Sequence, residues 1–390
     1  MSMLNRAILS DILKVFALAL VGVTVLLLVI GVTKQALDEH LGPLHIVRLL
    51  PYLLPDALRF SLPGTALFAV CSVYGRLSAS NEVVAIKALG INPMVVLFPT
   101  YFVAALLSLL AVVMNDVAVS WGRNGAQRVI LESIEEIAYG ILSQTKSYNR
   151  DPRYSITVKD VLGKRLIGPT IMFRNSSGSP ITVTAEEAEL QSTPGSNTLT
   201  FIIHYGSASS GGTRYVFDME RRQVPLSLGA ESMQPSRLPL RDIPAAYKKK
   251  QQDLQEFERT ESAKLAFEML TGGMERVKDV DSANLLQSIR RVMYEDIYRF
   301  QIEPHRRWAN GFAVLCFVLV GAPLAIQRRD AHFLQTFFLC FLPILTVYYP
   351  LYAVTMNLCK MGSLPSLAVW SGNVILACWG LWLLHRVIRY

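Results

Sequence analysis

Charge is what this sequence has least of. Asp, Glu, Lys and Arg make up 17% of its 390 residues, where soluble domains carry about 25%. With an apolar share of 52%, that excludes an ordinary water-soluble enzyme. Cysteine is scarce too, and all five (Cys71, Cys316, Cys340, Cys359 and Cys378) lie in or beside apolar runs. None falls in the polar middle, which excludes a disulfide framework or a cysteine-based zinc site there. A cysteine inside an apolar helix behaves as a small hydrophobe. No GxxxxGK[ST] stretch is present, so the chain does not hydrolyse ATP by itself. HExxH and GxSxG are missing as well. The net charge of +8 comes without a basic tract interleaved with aromatics, which argues against nucleic acid as a partner. The first apolar run is longer than a signal-peptide core, and no small-x-small cleavage site follows it.

What is present is six apolar runs, each near the roughly 20 residues that cross a bilayer. An interfacial helix over 1–14 is expected to lead into span 1 at 15–33, which ends at Lys34. Span 2 covers about 53–74 and is expected to be broken by Pro55 and Pro63, with Asp56 and Arg59 one turn apart. Span 3 covers 93–115. Spans 4, 5 and 6 fall at about 308–327, 333–357 and 367–384.

The segment between spans 3 and 4 changes character. It stays helical from 121 to 142, then turns to period two from Tyr154 to about Leu228. YSITVKD places Tyr154, Ile156 and Val158 on one face, and ITVTAEEAEL alternates Ile181, Val183 and Ala185. TLTFIIHYG alternates Leu199, Phe201, Ile203 and Tyr205. Short alternating strands separated by NSSGSP, TPGSN and SASSGG predict a sandwich or jelly roll. From 242 to 300 the helical pattern returns, with a break at Gly272 and Gly273 and a second helix capped by Asp281 or Ser282.

The expected architecture is therefore a membrane protein: a six-helix transmembrane bundle, three spans plus three, with an inserted β-jellyroll-like domain and a helical tail. Its parts are 1–120, 121–307 and 308–390. Placing the amino terminus in the cytoplasm puts Arg6, Lys14, Arg76, Lys87, Arg328, Arg329, Arg386 and Arg389 in cytoplasmic segments. Lys34, Arg48 and Lys360 then sit outside, as the excess of inward positive charge requires. Both termini are then cytoplasmic and the central domain is periplasmic.

Between spans 2 and 3 lies CSVYGRLSASNEVVAIKALGINP. Ser80 or Asn81 can cap a short helix whose first turn holds Glu82, an acid well placed beside the positive helix end. Val83, Ile86 and Leu89 recur at a spacing of three and form one apolar face. Gly90 can end the helix and Pro93 can begin the next. A helix over about 80–90 is too short to be stable alone and needs a partner surface. Enzyme readings are weaker. His40 and His45 with Asp38 and Glu39 lack the spacing of two ligands on one helical turn. Glu303, His305, Arg306 and Arg307 read as charges at the water interface before span 4, pairing with one another. Catalytic and metal residues are accordingly expected to be absent. The alternative, a membrane enzyme modifying lipid head groups, would need acid–base groups converging at one depth. A mere anchor for an external β domain would need fewer spans.

Two stretches carry a resemblance. GRLSASNEVVAIKALGINP, with Gly75, Arg76, Leu77, Glu82, Gly90 and Asn92, resembles the cytoplasmic loop of the LptF/LptG (YjgP/YjgQ) family of lipopolysaccharide-export permeases. EPHRRWANGFAVLCFVLVGAPLAIQRR resembles that family's fourth span, with Pro323 and Leu324 near its cytoplasmic end. Pro55 and Pro63 and the order of parts fit as well. The resemblance implies the permease subunit of an ABC transporter that moves lipopolysaccharide or a related amphiphile. An ABC ATPase dimer would dock on Arg76, Glu82, Val83, Ile86, Leu89 and Gly90 and supply ATP and Mg, this chain binding no cofactor itself. A second permease copy or paralogue and a single-span periplasmic bridge protein are the other implied partners. Lys34 is implied as a partner for lipid phosphates, and spans 1 and 5 as a lateral gate.

Overall fold

The computed structural model describes residues 3–39, 43–132, 134–148, 154–173, 181–192, 198–210, 213–225, 234–271, 280–328 and 333–389. The expected break at Gly272 and Gly273 lies outside them. Among the described residues, six helices are long and apolar enough to cross a membrane: Asn5–Leu37, His45–Ala79, Met94–Ala126, Ala283–Gln327, Leu334–Lys360 and Ser366–Arg389. Helix α1 is Met3–Glu39 and α2 is Pro43–Ala79. Helix α3 is Glu82–Ala88, and α4 is Met94–Val117, continued by a π turn at Ala118–Arg123. Then come α5 (Asn124–Glu132), α6 (Ile134–Thr145), eight strands, α7 (Ile243–Thr271) and α8 (Val280–Gln327). Helix α9 (Phe333–Pro343) passes through a π turn at Ile344–Tyr348 into α10 (Tyr349–Lys360), and α11 (Ser371–Arg389) ends the chain.

Three expectations about the helices need correction. No separate interfacial helix precedes span 1, because α1 runs unbroken through the charges at Arg6, Asp11 and Lys14. Span 2 is not broken at Pro55 and Pro63. Arg59 bonds Asp56 at 2.8 Å across the first proline-containing turn. The hydroxyls of Ser61 and Thr65 bond the carbonyls of Leu58 and Ser61, and proline is tolerated in membrane helices whose freed backbone groups find other partners. Span 4 and the second tail helix are one 48-residue helix, α8, already running at Val280. Asp281 and Ser282 therefore lie inside it rather than capping it.

The contacts divide the chain into two compact units. The first comprises Met1–Leu27, Leu54–Gly122 and Met233–Tyr390. Its spine is α8, the most enclosed span, with 72% of its most apolar window buried against 11% for the first span and 17% for the fifth. The spine fits because its contact positions are small. A Cβ on Gly311 would stand 2.3 Å from Val112 Cγ2, and one on Gly380 would stand 3.0 Å from the Leu319 carbonyl oxygen. Small residues let membrane helices approach to backbone contact. Polar side chains clasp the same helix. Asn373 donates to the Ala309 carbonyl at 2.7 Å and accepts from the Tyr348 hydroxyl at 3.0 Å.

The second unit comprises Leu28–Leu53 and Arg123–Ser232. Strands β1 (Ser147–Tyr148), β2 (Tyr154–Thr157), β3 (Asp160–Leu162), β4 (Arg165–Ile167), β5 (Thr170–Phe173), β6 (Ile181–Ser192), β7 (Thr198–Ser210) and β8 (Thr213–Pro225) form one antiparallel, curled sheet. Strand β6 organises it. One edge pairs with β5 and then β4, and the other pairs with β7 along its length. The apolar alternation holds at Ile156, Val158, Val183, Ala185, Phe201 and Ile203, all buried. It slips where Ala185 faces Gly206, because Tyr205 takes a left-handed φ of 49° and turns outward. Tyr205 is thus exposed rather than inward, and the inner face resumes at Ala188 and Leu190.

Candidate functional site: a short helix mounted on the bundle

Helix α3 has seven residues, about 10 Å of helix. It is held by its own chain. Val83 and Ile86 are buried in the same apolar cluster as Ala325 and Ile326 of α8 and Val387 of α11. Lys87 donates to the Val387 carbonyl at 2.8 Å, and the Ser78 hydroxyl donates to the Ile326 carbonyl at 2.8 Å. Just before the helix, Arg76 bonds Asp11 of α1. Both sides of the turn are therefore tied to spans 1, 4 and 6.

The capping differs from the expected pattern. Asn81 occupies the N-cap position in a left-handed conformation, φ 59°, and makes no side-chain cap. Ser80 instead donates to the Glu82 carboxylate at 2.8 Å. Gly90, at φ 74°, closes the helix, a conformation that costs a residue with a Cβ about 1–2 kcal/mol. Asn92 then accepts from the Met94 N–H at 2.9 Å and starts α4.

The apolar face is Val83 and Ile86 without Leu89, which is 76% exposed. Each step of three falls about 60° short of a full helical turn, so by Leu89 the stripe has rotated away from the bundle. Glu82, Leu89 and Gly90 form the outward side with Ser80 and Asn81. The six residues singled out from sequence thus divide by orientation. Val83 and Ile86 mount the helix, whereas Arg76, Glu82, Leu89 and Gly90 are reachable by another molecule.

Lys34 lies on α1 with its side chain exposed. His40 is outside the described residues. The set at Glu303–Arg307 pairs internally, as expected, but is largely enclosed by protein. Glu303 and Arg307 are buried, with Arg307 at 2% exposure. Glu303 accepts from Arg306 at 2.6 Å and from Arg307 at 3.0 Å. Arg307 also donates to Asp116 at 2.8 Å and to the carbonyls of Pro235 and Leu238. Asp116 caps the arrangement by accepting from the Leu240 N–H at 2.8 Å. Glu303 thus has its carboxylate oxygens engaged by two guanidiniums. The pairing of Glu303 with Arg306 and Arg307 was expected from sequence, but their burial and the distant partners of Arg307 were not. The one signal of this hub is a pair of adjacent arginines at the mouth of an apolar helix.

Comparison with known proteins adds one match. A sequence model of the family described as lipopolysaccharide export system permease LptF/LptG matches residues 6–386. No curated protein matches the chain.

Proposed function

Because the chain belongs to the LptF/LptG family of lipopolysaccharide export permeases, multi-pass inner-membrane proteins of ABC transporters, we propose that it extracts lipopolysaccharide or a related amphiphile from the inner membrane and passes it to a periplasmic bridge. The observation that carries this reading is the mounting of α3. Its inner face is locked to spans 4 and 6 while Glu82, Leu89 and Gly90 face outward. A force applied there by an ATPase dimer would reach the spans without first melting a loop. ATP and Mg would be handled by that partner.

The two spans with the least burial, the first and the fifth, suit a lateral entry for lipid between this chain and a second copy or paralogue. Lys34 stands in α1 where a lipid phosphate would meet a cation. The distribution of Lys and Arg supports cytoplasmic termini and a periplasmic sheet domain that receives the lipid and hands it to a single-span bridge protein.

The test uses Glu82→Lys in the intact transporter. Folding and membrane insertion should be kept, while co-purification of the ATPase and ATP-driven lipid release fall. Full assembly and full export by the variant would refute the coupling role. Loss of phosphorylated-lipid binding in Lys34→Gln tests the span 1 assignment separately, and unchanged binding would sink it.

A further inference from the structure

A cavity of about 230 Å³ lies among spans 2, 3, 4 and 5. Among the described residues, every charged one on its wall is cationic: Arg59, Arg306 and Arg307. The acids that pair with them, Asp56, Glu303 and Asp116, are not on the wall. The three arginines are not equivalent. Arg307 is committed to the hub, with bonds at Nε, Nη1 and Nη2. Arg306 gives Nε and Nη2 to Glu303, which leaves Nη1 for a ligand. Arg59 is held in place by Asp56 on one side and by the Phe60 ring, 4.6 Å from its guanidinium carbon, on the other.

The rest of the wall is aromatic and amide. The π turn at Ile344–Tyr348 follows Pro343, and with the next helical turn it delivers Tyr348 and Tyr352, stacked 6.1 Å apart, to the cavity. π turns of this kind recur at binding sites. Asn310 of α8 and Asn115 of α4 add the amides, and Pro63 and Ala313 also line the space. A guanidinium offers forked, always-charged donors that match an oxyanion. In a low-dielectric bundle that attraction is worth far more than in water. The space has room for a tetrahedral oxyanion and attached atoms.

We propose that this cavity is a binding site for a phosphate-type oxyanion, gripped by Arg59 and Arg306 with Tyr352 and Asn310 as neutral hydrogen-bonding partners. The site is formed within a single chain and is separate from Lys34. It deepens the permease reading by naming a further place for an anionic head group, but binding here requires no ATPase, so its failure would leave the coupling proposal standing.

The experiment uses the full chain in neutral detergent, in a Lys34→Gln background so that span 1 does not contribute. Thermal unfolding and native mass spectrometry are followed with lysophosphatidic acid, with the monoacylglycerol of the same chain length, and with inorganic phosphate. Lysophosphatidic acid should bind and raise the unfolding temperature, and the monoacylglycerol should not. Arg59→Gln and Arg306→Gln should each weaken binding about tenfold, the worth of one hydrogen bond to a charged group. Tyr352→Phe should weaken it less. Binding of lysophosphatidic acid alone supports the site with a lipid head group as its source. Binding of inorganic phosphate as well supports it with a free anion. Equal binding of the monoacylglycerol, or unchanged affinity in Arg59→Gln, would overturn the proposal. Arg59→Gln is the decisive variant because glutamine keeps an amide donor for Asp56 while removing the cation.

Discussion

Arg307 and Asp116 are 191 residues apart in the chain and meet at 2.8 Å. Their contact joins the end of span 3 to span 4, and the same guanidinium holds the carbonyls of Pro235 and Leu238 where the chain returns from the sheet domain. Arg307→Leu leaves Glu303 and Asp116 without this partner and should cost about 3–5 kcal/mol, as breaking a buried pair does. Asp116→Asn keeps an acceptor and should cost less, about 1–3 kcal/mol. Thermal unfolding in detergent measures both, and equal small losses would show that the hub contributes little.

The two sides of α3 should respond differently to the same change. Ile86→Asp places a carboxylate in the core and should destabilise the chain by more than about 4 kcal/mol. Leu89→Asp, at an exposed position, should change stability by within about 0.5 kcal/mol yet lower ATPase co-purification. Loss of folding in both variants would contradict the division of the helix into a mounting face and an outward face.

Span 4 should be intolerant of bulk at its small positions. In Gly311→Ala the new methyl meets Val112 Cγ2 at 2.3 Å and the Ser108 carbonyl oxygen at 3.0 Å. The first can rotate and the second cannot, so α4 and α8 must part, at a cost of about 1–3 kcal/mol. Gly22→Ala, with nothing within 4 Å of its Cβ, should be neutral or slightly stabilising in the same unfolding assay.

Tyr139 fastens α6 to the sheet. Its hydroxyl donates to the Lys164 carbonyl at 2.5 Å and accepts from the Leu190 N–H at 2.8 Å. Tyr139→Phe leaves both backbone groups short of a partner and should cost about 1–3 kcal/mol. Burial pushes this hydroxyl above its usual range, the carboxylates of Glu135 and Glu189 adding to the effect, while the Leu190 N–H and Lys164 oppose it. The folded form therefore favours the protonated phenol. Its contribution is fully present below the unfolded pKa of about 10 and is lost as pH rises through the higher folded value. Unfolding followed against pH should show an alkaline loss in the natural chain that is smaller in Tyr139→Phe.

The spans and strands were legible because hydropathy and period-two alternation act locally. The residues missed were those whose environment is set at a distance. Nothing near EPHRR says that Arg307 is buried, because its partners arrive from residues 116, 235 and 238. Pro55 and Pro63 read as breaks because proline lacks a backbone donor, yet α2 continues through both. Leu89 and Tyr205 were misplaced for a geometric reason. A spacing of three is not a helical turn, and one left-handed residue reverses the faces of a strand. The Glu82–Gly90 stretch was legible from its stop signal at Gly90, whereas the expected side-chain cap at Ser80 or Asn81 is not formed, and the structure separates its buried residues from its exposed ones.

Helix α8 carries one further consequence. It is a single rod of 48 residues, about 72 Å long, fastened at Arg307. From Arg307 one arm reaches Ile326, which shares an apolar cluster with Val83 and Ile86, and the other reaches Val280. At about 1.5 Å per residue the arms are about 30 and 40 Å. The cluster that mounts α3 and the far end at Val280 thus lie on one continuous backbone, with the buried Arg307 pairs between them.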